Sequence, residues 1–169
     1  MIRCEMAGRR HFPTRGHRST RGRLFERRRP LASSSTMPPF PSAEWAAHFQ
    51  KALNDNPAYA RAAAAWEGDI LFEVIADAQA AKGPGIYLDL SHGVCKEARF
   101  VTDTATVNPE FVFRSTRENW QRILRRELDP VKAFLGGTIK MSGNPAKILR
   151  FVGAAKELID TAAGVPRDD

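Results

Sequence analysis

Residues 129–152 read Asp-Pro-Val-Lys-Ala-Phe-Leu-Gly-Gly-Thr-Ile-Lys-Met-Ser-Gly-Asn-Pro-Ala-Lys-Ile-Leu-Arg-Phe-Val, and this stretch decides the fold. Asp129-Pro130 is typical of a helix start, because an aspartate caps free backbone N–H groups and proline lacks the N–H that the first turn leaves unpaired. Gly136-Gly137 ends this short helix, since glycine readily adopts the left-handed conformation found after helix ends.

The second half of the stretch predicts a strand followed by an amphipathic helix. Residues 138–142 alternate in polarity and place Ile139 and Met141 on one side. Gly143 turns the chain, and Asn144-Pro145 repeats the helix start for a last helix over 144–162. A strand edged so closely by helices positions apolar surface, and none of its side chains performs chemistry alone. The stretch therefore favours binding an apolar ligand over converting one.

Upstream of this stretch, the pattern predicts helices, then strands, then a further helix. Ser42 caps a first helix that ends near Asn54, and Asn56-Pro57 opens a second one through the alanine run to Trp66. A period of two then predicts strands. Their inward residues are Ile70, Phe72 and Val74; Ile86, Leu88 and Leu90; Ala98 and Phe100; and Phe111 and Phe113. Short links between these strands predict an antiparallel meander with one covered face and one wetter face.

The segment after the fourth strand matches a capping box, Ser115-Thr116-Arg117-Glu118, in which serine and glutamate satisfy each other's backbone donors. The helix that it opens carries an apolar stripe of Trp120, Ile123, Leu124 and Leu128. In the last helix a stripe of about 120° contains Ile148, Phe151, Val152, Ala155, Leu158 and Ile159. The sequence therefore predicts an α+β architecture, a five-stranded and mostly antiparallel sheet layered by helices.

These residues resemble the C-terminal signature of the sterol-carrier-protein lipid-binding family. In that signature a tryptophan-bearing helix leads into a short helix, a strand of the form G-x-I-x-x-x-G and a terminal amphipathic helix. The matching positions here are Trp120, Asp129, Gly137, Ile139, Gly143, Leu149 and Val152. The resemblance is strongest over residues 110–152 and extends back to Ser42. Thr138 and Asn144 stand where the family usually has lysine and aspartate.

The resemblance implies an apolar tunnel between the sheet and the terminal helices. By that likeness, the expected tunnel-lining residues are Phe113, Trp120, Leu124, Ile139, Met141, Ile148 and Val152. The implied function is non-catalytic intracellular lipid binding or transfer, with a sterol-like, fatty acyl-CoA or isoprenoid ligand and a transient membrane contact during exchange. An alternative is an accessory domain that presents such a lipid to a membrane-bound or biosynthetic enzyme. From the residue pattern alone, the apolar stripes also fit an ordinary solid core.

The charge of the chain is concentrated in its first 36 residues. The net charge is +7, but residues 1–36 hold ten arginines and two acids, whereas residues 37–169 hold sixteen basic and seventeen acidic side chains. We expect residues 1–36 to be a disordered tail and residues 37–165 to form the lipid-binding domain. Three interpretations of the tail remain open: translation that begins at Met37, a mitochondrial transit peptide, or an arm that binds nucleic acid or acidic membrane.

The sequence contains one pairing of a nucleophile with a base, Cys95 with His92. It would support a thiol enzyme acting on acyl groups, but a spacing of three across a glycine turn does not ensure contact. No cluster has zinc-ligand spacing and no glycine pattern cradles phosphates, so we expect no metal or cofactor. Two cysteines in different regions and no membrane-spanning run favour a reducing, cytoplasmic location, or a mitochondrial one if the tail is a transit peptide. The folded domain is not expected to bind nucleic acid.

Overall fold

The computed structural model describes residues 38–77 and 82–168, so the predicted arginine-rich tail lies outside the described residues. The elements in chain order are α1 (Ala43–Asn54), α2 (Pro57–Ala62), β1 (Glu67–Ile75), β2 (Gly85–Ser91), β3 (Val94–Val101), a 3₁₀ turn (Thr104–Thr106), β4 (Phe111–Thr116), α3 (Arg117–Leu124), α4 (Pro130–Leu135), β5 (Lys140–Ser142), α5 (Pro145–Arg150) and α6 (Val152–Gly164).

Four helices begin at the caps that the sequence predicts. The Ser42 hydroxyl accepts from the Trp45 N–H at 3.1 Å, and Asn56, Asp129 and Asn144 accept from backbone N–H groups of α2, α4 and α5. In α2, α4 and α5 a proline follows the cap directly. These four predictions are confirmed. The α2 helix ends at Ala62, however, before the end of the alanine run.

The sheet has the strand order β3-β2-β1-β4-β5. The pairs β1–β2, β2–β3 and β4–β5 are antiparallel, whereas β1 and β4 are parallel, with Ile70 opposite Phe111. The predicted five-stranded, mostly antiparallel sheet is confirmed. The meander holds for the first three strands and is wrong for the fourth, because β4 pairs with the free edge of β1 instead of with β3.

Both faces of the central strand β1 are buried. Ile70, Phe72 and Val74 belong to the main core beneath the helices, as predicted. Leu71 and Glu73 on the opposite face are buried as well, so the expected wetter face is wrong at β1. This outer face is covered by the segment that returns the chain from β3 to β4, since Thr104 in that segment hydrogen-bonds the Glu73 carboxylate.

The predicted last helix over 144–162 is two helices. The break lies at Phe151, whose backbone angles are φ −110° and ψ 28°. The buried positions of α6 are Ala154, Leu158 and Ala162, so the predicted stripe is confirmed at Leu158 and wrong at Val152, Ala155 and Ile159. Val152 is exposed, and Ala155 and Ile159 are half-buried.

The α3 helix is capped by Thr116, whose hydroxyl accepts from the Asn119 N–H at 3.4 Å, so the capping box that begins at Ser115 is wrong. Ser115 is still part of β4, and its hydroxyl donates to the Thr138 carbonyl at 2.7 Å. The predicted stripe of α3 is confirmed at its buried residues Trp120, Ile123 and Leu124.

The turn between β5 and α5 requires glycine. Gly143 has φ +122°, and a Cβ there would lie 2.6 Å from Phe111 Cδ1 and 2.7 Å from the Glu110 carbonyl oxygen. Because the second contact is backbone, a side chain could not be accommodated by a rotamer change. This close approach brings the start of α5 against the beginning of β4.

Candidate functional site

An apolar cavity lies between the core face of the sheet and the helices. Its volume is about 130 Å³, and the empty space is about 980 Å³ when the open region at its mouth is included. The described residues that line it are Tyr59, Trp66, Ile70, Phe72, Leu90, Phe113, Trp120, Pro130, Val131, Phe134, Leu135, Ile139, Ile148, Leu149, Phe151, Val152, Ala154, Ala155, Lys156, Leu158 and Ile159.

Aromatic rings form much of the cavity wall. The ring centroids of Phe72 and Phe113, on neighbouring strands, are 5.9 Å apart, and Trp120 packs edge-on against Phe72 at 5.4 Å. Trp66 meets Phe151 at 5.4 Å. The indole N–H groups of Trp66 and Trp120 donate to the carbonyls of Gly68 and Glu73 at 3.0 and 2.9 Å. Because these donors are satisfied by the backbone, the rings contribute apolar surface to the cavity.

The mouth of the cavity lies between α4 and the α5–α6 pair. Four of its lining residues, Val131, Leu135, Leu149 and Val152, have exposed fractions between 40% and 74%. Exposed large aliphatic side chains that gather at one place are unusual for a surface without a partner. Lys156 is the charged residue of the described lining, and it pairs with Asp160 at 2.5 Å.

The structure brings together five of the seven residues predicted to line a tunnel. Phe113, Trp120, Ile139, Ile148 and Val152 line the cavity. The other two lie outside the cavity lining, in different ways. Leu124, at the end of α3, is buried in the core, and Met141, on the edge strand β5, is half-buried against the core.

Other lining residues were missed because they belong to other elements. Tyr59, Trp66 and Leu90 are buried lining residues, and Leu135 and Leu149 are exposed ones at the mouth. Leu149 lies outside the predicted apolar stripe, and this position was the sequence signal that could have identified it as a residue of the mouth. An aliphatic residue off the buried stripe, next to a second one on the preceding helix, is typical of an exposed apolar rim.

The geometry does not support Cys95 as a nucleophile. Its thiol is buried and donates to the Glu97 carbonyl at 3.3 Å. Burial, together with the neighbouring Asp89 carboxylate, raises the pKa of the Cys95 thiol to about 12. The thiol therefore stays protonated near neutral pH, whereas thiol catalysis requires the thiolate. His92 is exposed, and its ring meets the Ser91 hydroxyl at 2.9 Å.

Residues 38–77 and 82–168 contain no group of three or more His, Cys, Asp or Glu side chains that could hold a metal ion. Within the same residues, no helix is both long and apolar enough to cross a bilayer.

The sequence comparison and the structure comparison indicate the same protein family. The sequence model of the SCP-2 sterol transfer family matches residues 48–156, more than half of the chain. A crystal structure of sterol carrier protein 2 is 32% identical with a TM-score of 0.68, covering 73% of this chain and 97% of that one. The solution structure of a conserved hypothetical protein from Thermus thermophilus is 32% identical with a TM-score of 0.66, covering 75% and 90%. A search of curated proteins finds no significant match.

These matches cover 97% and 90% of the two solved structures. They confirm the resemblance that residues 110–152 indicate and extend it over most of the described chain. The fold is an α+β sheet with an apolar cavity under its C-terminal helices, and the sequence match covers more than half of the chain. The chain therefore belongs to the SCP-2 sterol transfer family.

Proposed function

We propose that this protein binds one lipid molecule in the cavity and releases it chemically unchanged. The observation that carries the proposal is the composition of the wall: apart from Tyr59 and Lys156, the described lining residues are aliphatic or aromatic hydrocarbons, proline, or tryptophans whose N–H groups are already bonded. Such a wall offers hydrophobic stabilisation of about 25 cal/mol per Å² of buried apolar surface and few polar contacts. It suits a sterol-like, fatty acyl or isoprenoid ligand and accepts several of them.

The cavity must enlarge before it can hold a long lipid. Ligand pockets commonly measure about 300–1,000 Å³, more than the 130 Å³ of the cavity proper. A long lipid therefore needs the exposed side chains at the mouth, or the short helices α4 and α5, to move outward. Both helices have six residues and few buried side chains, so their displacement costs little packing.

The absence of a chemical step is part of the proposal. The Cys95 thiol is protonated and is not among the lining residues of the cavity, so it does not supply a nucleophile for a bound acyl group. The described lining holds one phenol and one ammonium group, those of Tyr59 and Lys156. These two groups do not form the nucleophile and base pair that acyl transfer needs.

Lipid uptake tests the proposal directly. Delipidated full-length protein should bind a fluorescent long-chain fatty acid saturably, at one molecule per chain, because the proposal assigns binding to this one apolar cavity. Native mass spectrometry of the complex, and of protein incubated with an acyl-CoA, should show ligands of unchanged mass. Unlabelled oleate should displace the probe. Failure to bind, or conversion of the acyl-CoA, would contradict the proposal.

We propose further that the mouth docks on an anionic membrane when lipid is exchanged. The four exposed aliphatic residues surround the opening through which a lipid would pass, so insertion spares the ligand a passage through water. Residues 129–160, which contain the mouth, carry five cationic and three acidic side chains. One of these cations, Lys147, pairs with Glu110 at 2.8 Å, and the smaller surplus that remains complements anionic phospholipid headgroups.

Leu135→Ser/Leu149→Ser should slow lipid transfer between phosphatidylglycerol-containing vesicles on the order of tenfold, because two apolar side chains no longer enter the bilayer. Binding of the fluorescent fatty acid in solution should weaken less than transfer does, since both leucines are more than half exposed although they also line the mouth. Val94→Ser is the matched control, since Val94 is also an exposed aliphatic residue but lies on β3, outside the cavity lining. Equal slowing in the control, or no slowing in the double variant, would remove the docking role.

A further inference from the structure

Tyr59 of α2 is a buried lining residue of the cavity. It is 2% exposed, and the lining residues Trp66 and Leu90 are buried as well. The mouth residues Leu135 and Leu149 are 74% and 58% exposed. The described lining therefore combines a buried phenol with the exposed ammonium group of Lys156.

The Tyr59 hydroxyl has no hydrogen-bond partner among the described residues. Tyr59 donates a hydrogen bond from its backbone N–H, to Asn56 Oδ1 at 3.2 Å, and not from its side chain. Among the described residues, Trp45 Nε1 is the one fully buried side-chain nitrogen or oxygen without a hydrogen-bond partner, so the Tyr59 hydroxyl does not belong to that class. The Tyr59 hydroxyl is therefore unpartnered without being fully sealed, in a residue that lines the cavity. A buried hydroxyl without a partner is destabilising unless a ligand bonds it.

We propose that the Tyr59 hydroxyl is a polar subsite that donates a hydrogen bond to a neutral oxygen at the leading end of the bound lipid. The inference rests on the proposed lipid-binding function and specifies its ligand class: uncharged lipids with a hydroxyl, keto or ester oxygen at one end of an apolar body. Such a ligand enters oxygen first and leaves its hydrocarbon part in contact with the aromatic wall.

Electrostatics restrict the subsite to neutral groups. Placing a carboxylate beside the buried Tyr59 would take the charge out of water, and one hydroxyl donor does not repay that desolvation. A charged headgroup instead stays at the mouth, where Lys156 and water are available. Burial, followed by the neighbouring Cys95, raises the pKa of the Tyr59 phenol well above its ordinary value, so the hydroxyl remains a donor throughout the physiological range.

Competition binding with Tyr59→Phe tests the subsite, because this change removes one oxygen and keeps the ring. Dodecan-1-ol, dodecane and dodecanoate, delivered from cyclodextrin, compete with the fluorescent fatty acid on delipidated full-length protein. The variant should bind dodecan-1-ol about 3–10-fold more weakly, the effect of one hydrogen bond. Its affinity for dodecane and dodecanoate should stay within about twofold of the parent.

Tyr87→Phe provides the matched control. Tyr87, the other tyrosine of the chain, donates its hydroxyl to Asp69 Oδ2 at 3.0 Å and lies outside the cavity lining. This variant should leave all three affinities unchanged. If Tyr59→Phe leaves the ratio of alcohol to alkane affinity as it is in the parent, the subsite is refuted while lipid binding stands. If the parent binds none of the three compounds, lipid binding itself fails.

Discussion

Ala155→Trp should reduce uptake of a fluorescent long-chain fatty acid at least tenfold while the protein remains folded. Ala155 lies on α6 and lines the cavity, and it is half-buried, so an indole placed there enters space that is empty in the parent. With about 130 Å³ available, one indole fills most of the volume that a ligand would use. Titration of the delipidated variant against the parent, together with thermal unfolding of both, measures the effect.

Ala155 is a sharper position for this test than Val152, although Val152 also lines the cavity. Because Val152 is 45% exposed, a tryptophan there could turn toward solvent and leave the cavity open. Ala146→Trp is the matched control, since Ala146 is an exposed helix residue outside the lining. Undiminished uptake by a folded Ala155→Trp protein would show that the ligand binds elsewhere. A comparable loss in Ala146→Trp would show that added bulk on these helices acts indirectly.

The elements around the cavity could be predicted from sequence where the signal is local. Helix caps are local, because the capping side chain bonds a backbone N–H two or three residues later, and Ser42 and Asn144 both do so. The period of two in β1 likewise places Ile70 and Phe72 on the core face without any knowledge of neighbouring strands. The glycine-punctuated stretch from Asp129 supplied the resemblance, because its turns need particular residues at fixed spacing.

The features that were missed depend on contacts distant in sequence. The parallel pairing of Ile70 with Phe111 cannot be read from either strand, since alternation is the same in both orientations. The break at Phe151 lies inside a continuous helical pattern, and the residues buried in α6 differ from the predicted stripe. Leu124 and Met141 have the right polarity and face the core, but whether a core residue borders a cavity depends on how all the elements pack around it.

The buried Glu73 on the outer face of β1 is the clearest example of such a contact. Its side chain is 1% exposed and accepts hydrogen bonds from the Gly83 N–H at 3.3 Å, the Thr104 hydroxyl and Arg114 Nε. These partners belong to the β1–β2 connection, the segment returning from β3, and β4. Glu73 thus ties together three parts of the chain behind the strand whose other face supplies Ile70 and Phe72 to the cavity. A carboxylate buried in this way requires its cation, because the desolvation of an unpaired charge is not repaid.

Arg114→Met should therefore destabilise the delipidated protein by about 2–3 kcal/mol, less than the roughly 3–5 kcal/mol for a fully buried ion pair, because the Arg114 side chain is 31% exposed. Because methionine keeps most of the apolar stem of arginine, the loss of stability measures the effect of removing the positive charge. Urea denaturation followed by fluorescence of the buried tryptophans measures it. Replacing both partners, Glu73→Leu/Arg114→Met, should recover a large part of the loss, since no charge is then left buried.

Lys51→Met is the reference for an ordinary ion pair. Lys51 and Asp55 pair on the exposed face of α1, with 78% and 63% of their side chains accessible, so their separation should cost no more than about 0.5 kcal/mol. Should Arg114→Met cost no more than this reference, Glu73 does not depend on its cation. The back of the sheet would then be held by apolar contacts such as those of Leu71. Should the double variant instead be less stable than Arg114→Met, the Gly83 and Thr104 hydrogen bonds would be the larger contribution, since that variant also removes their acceptor.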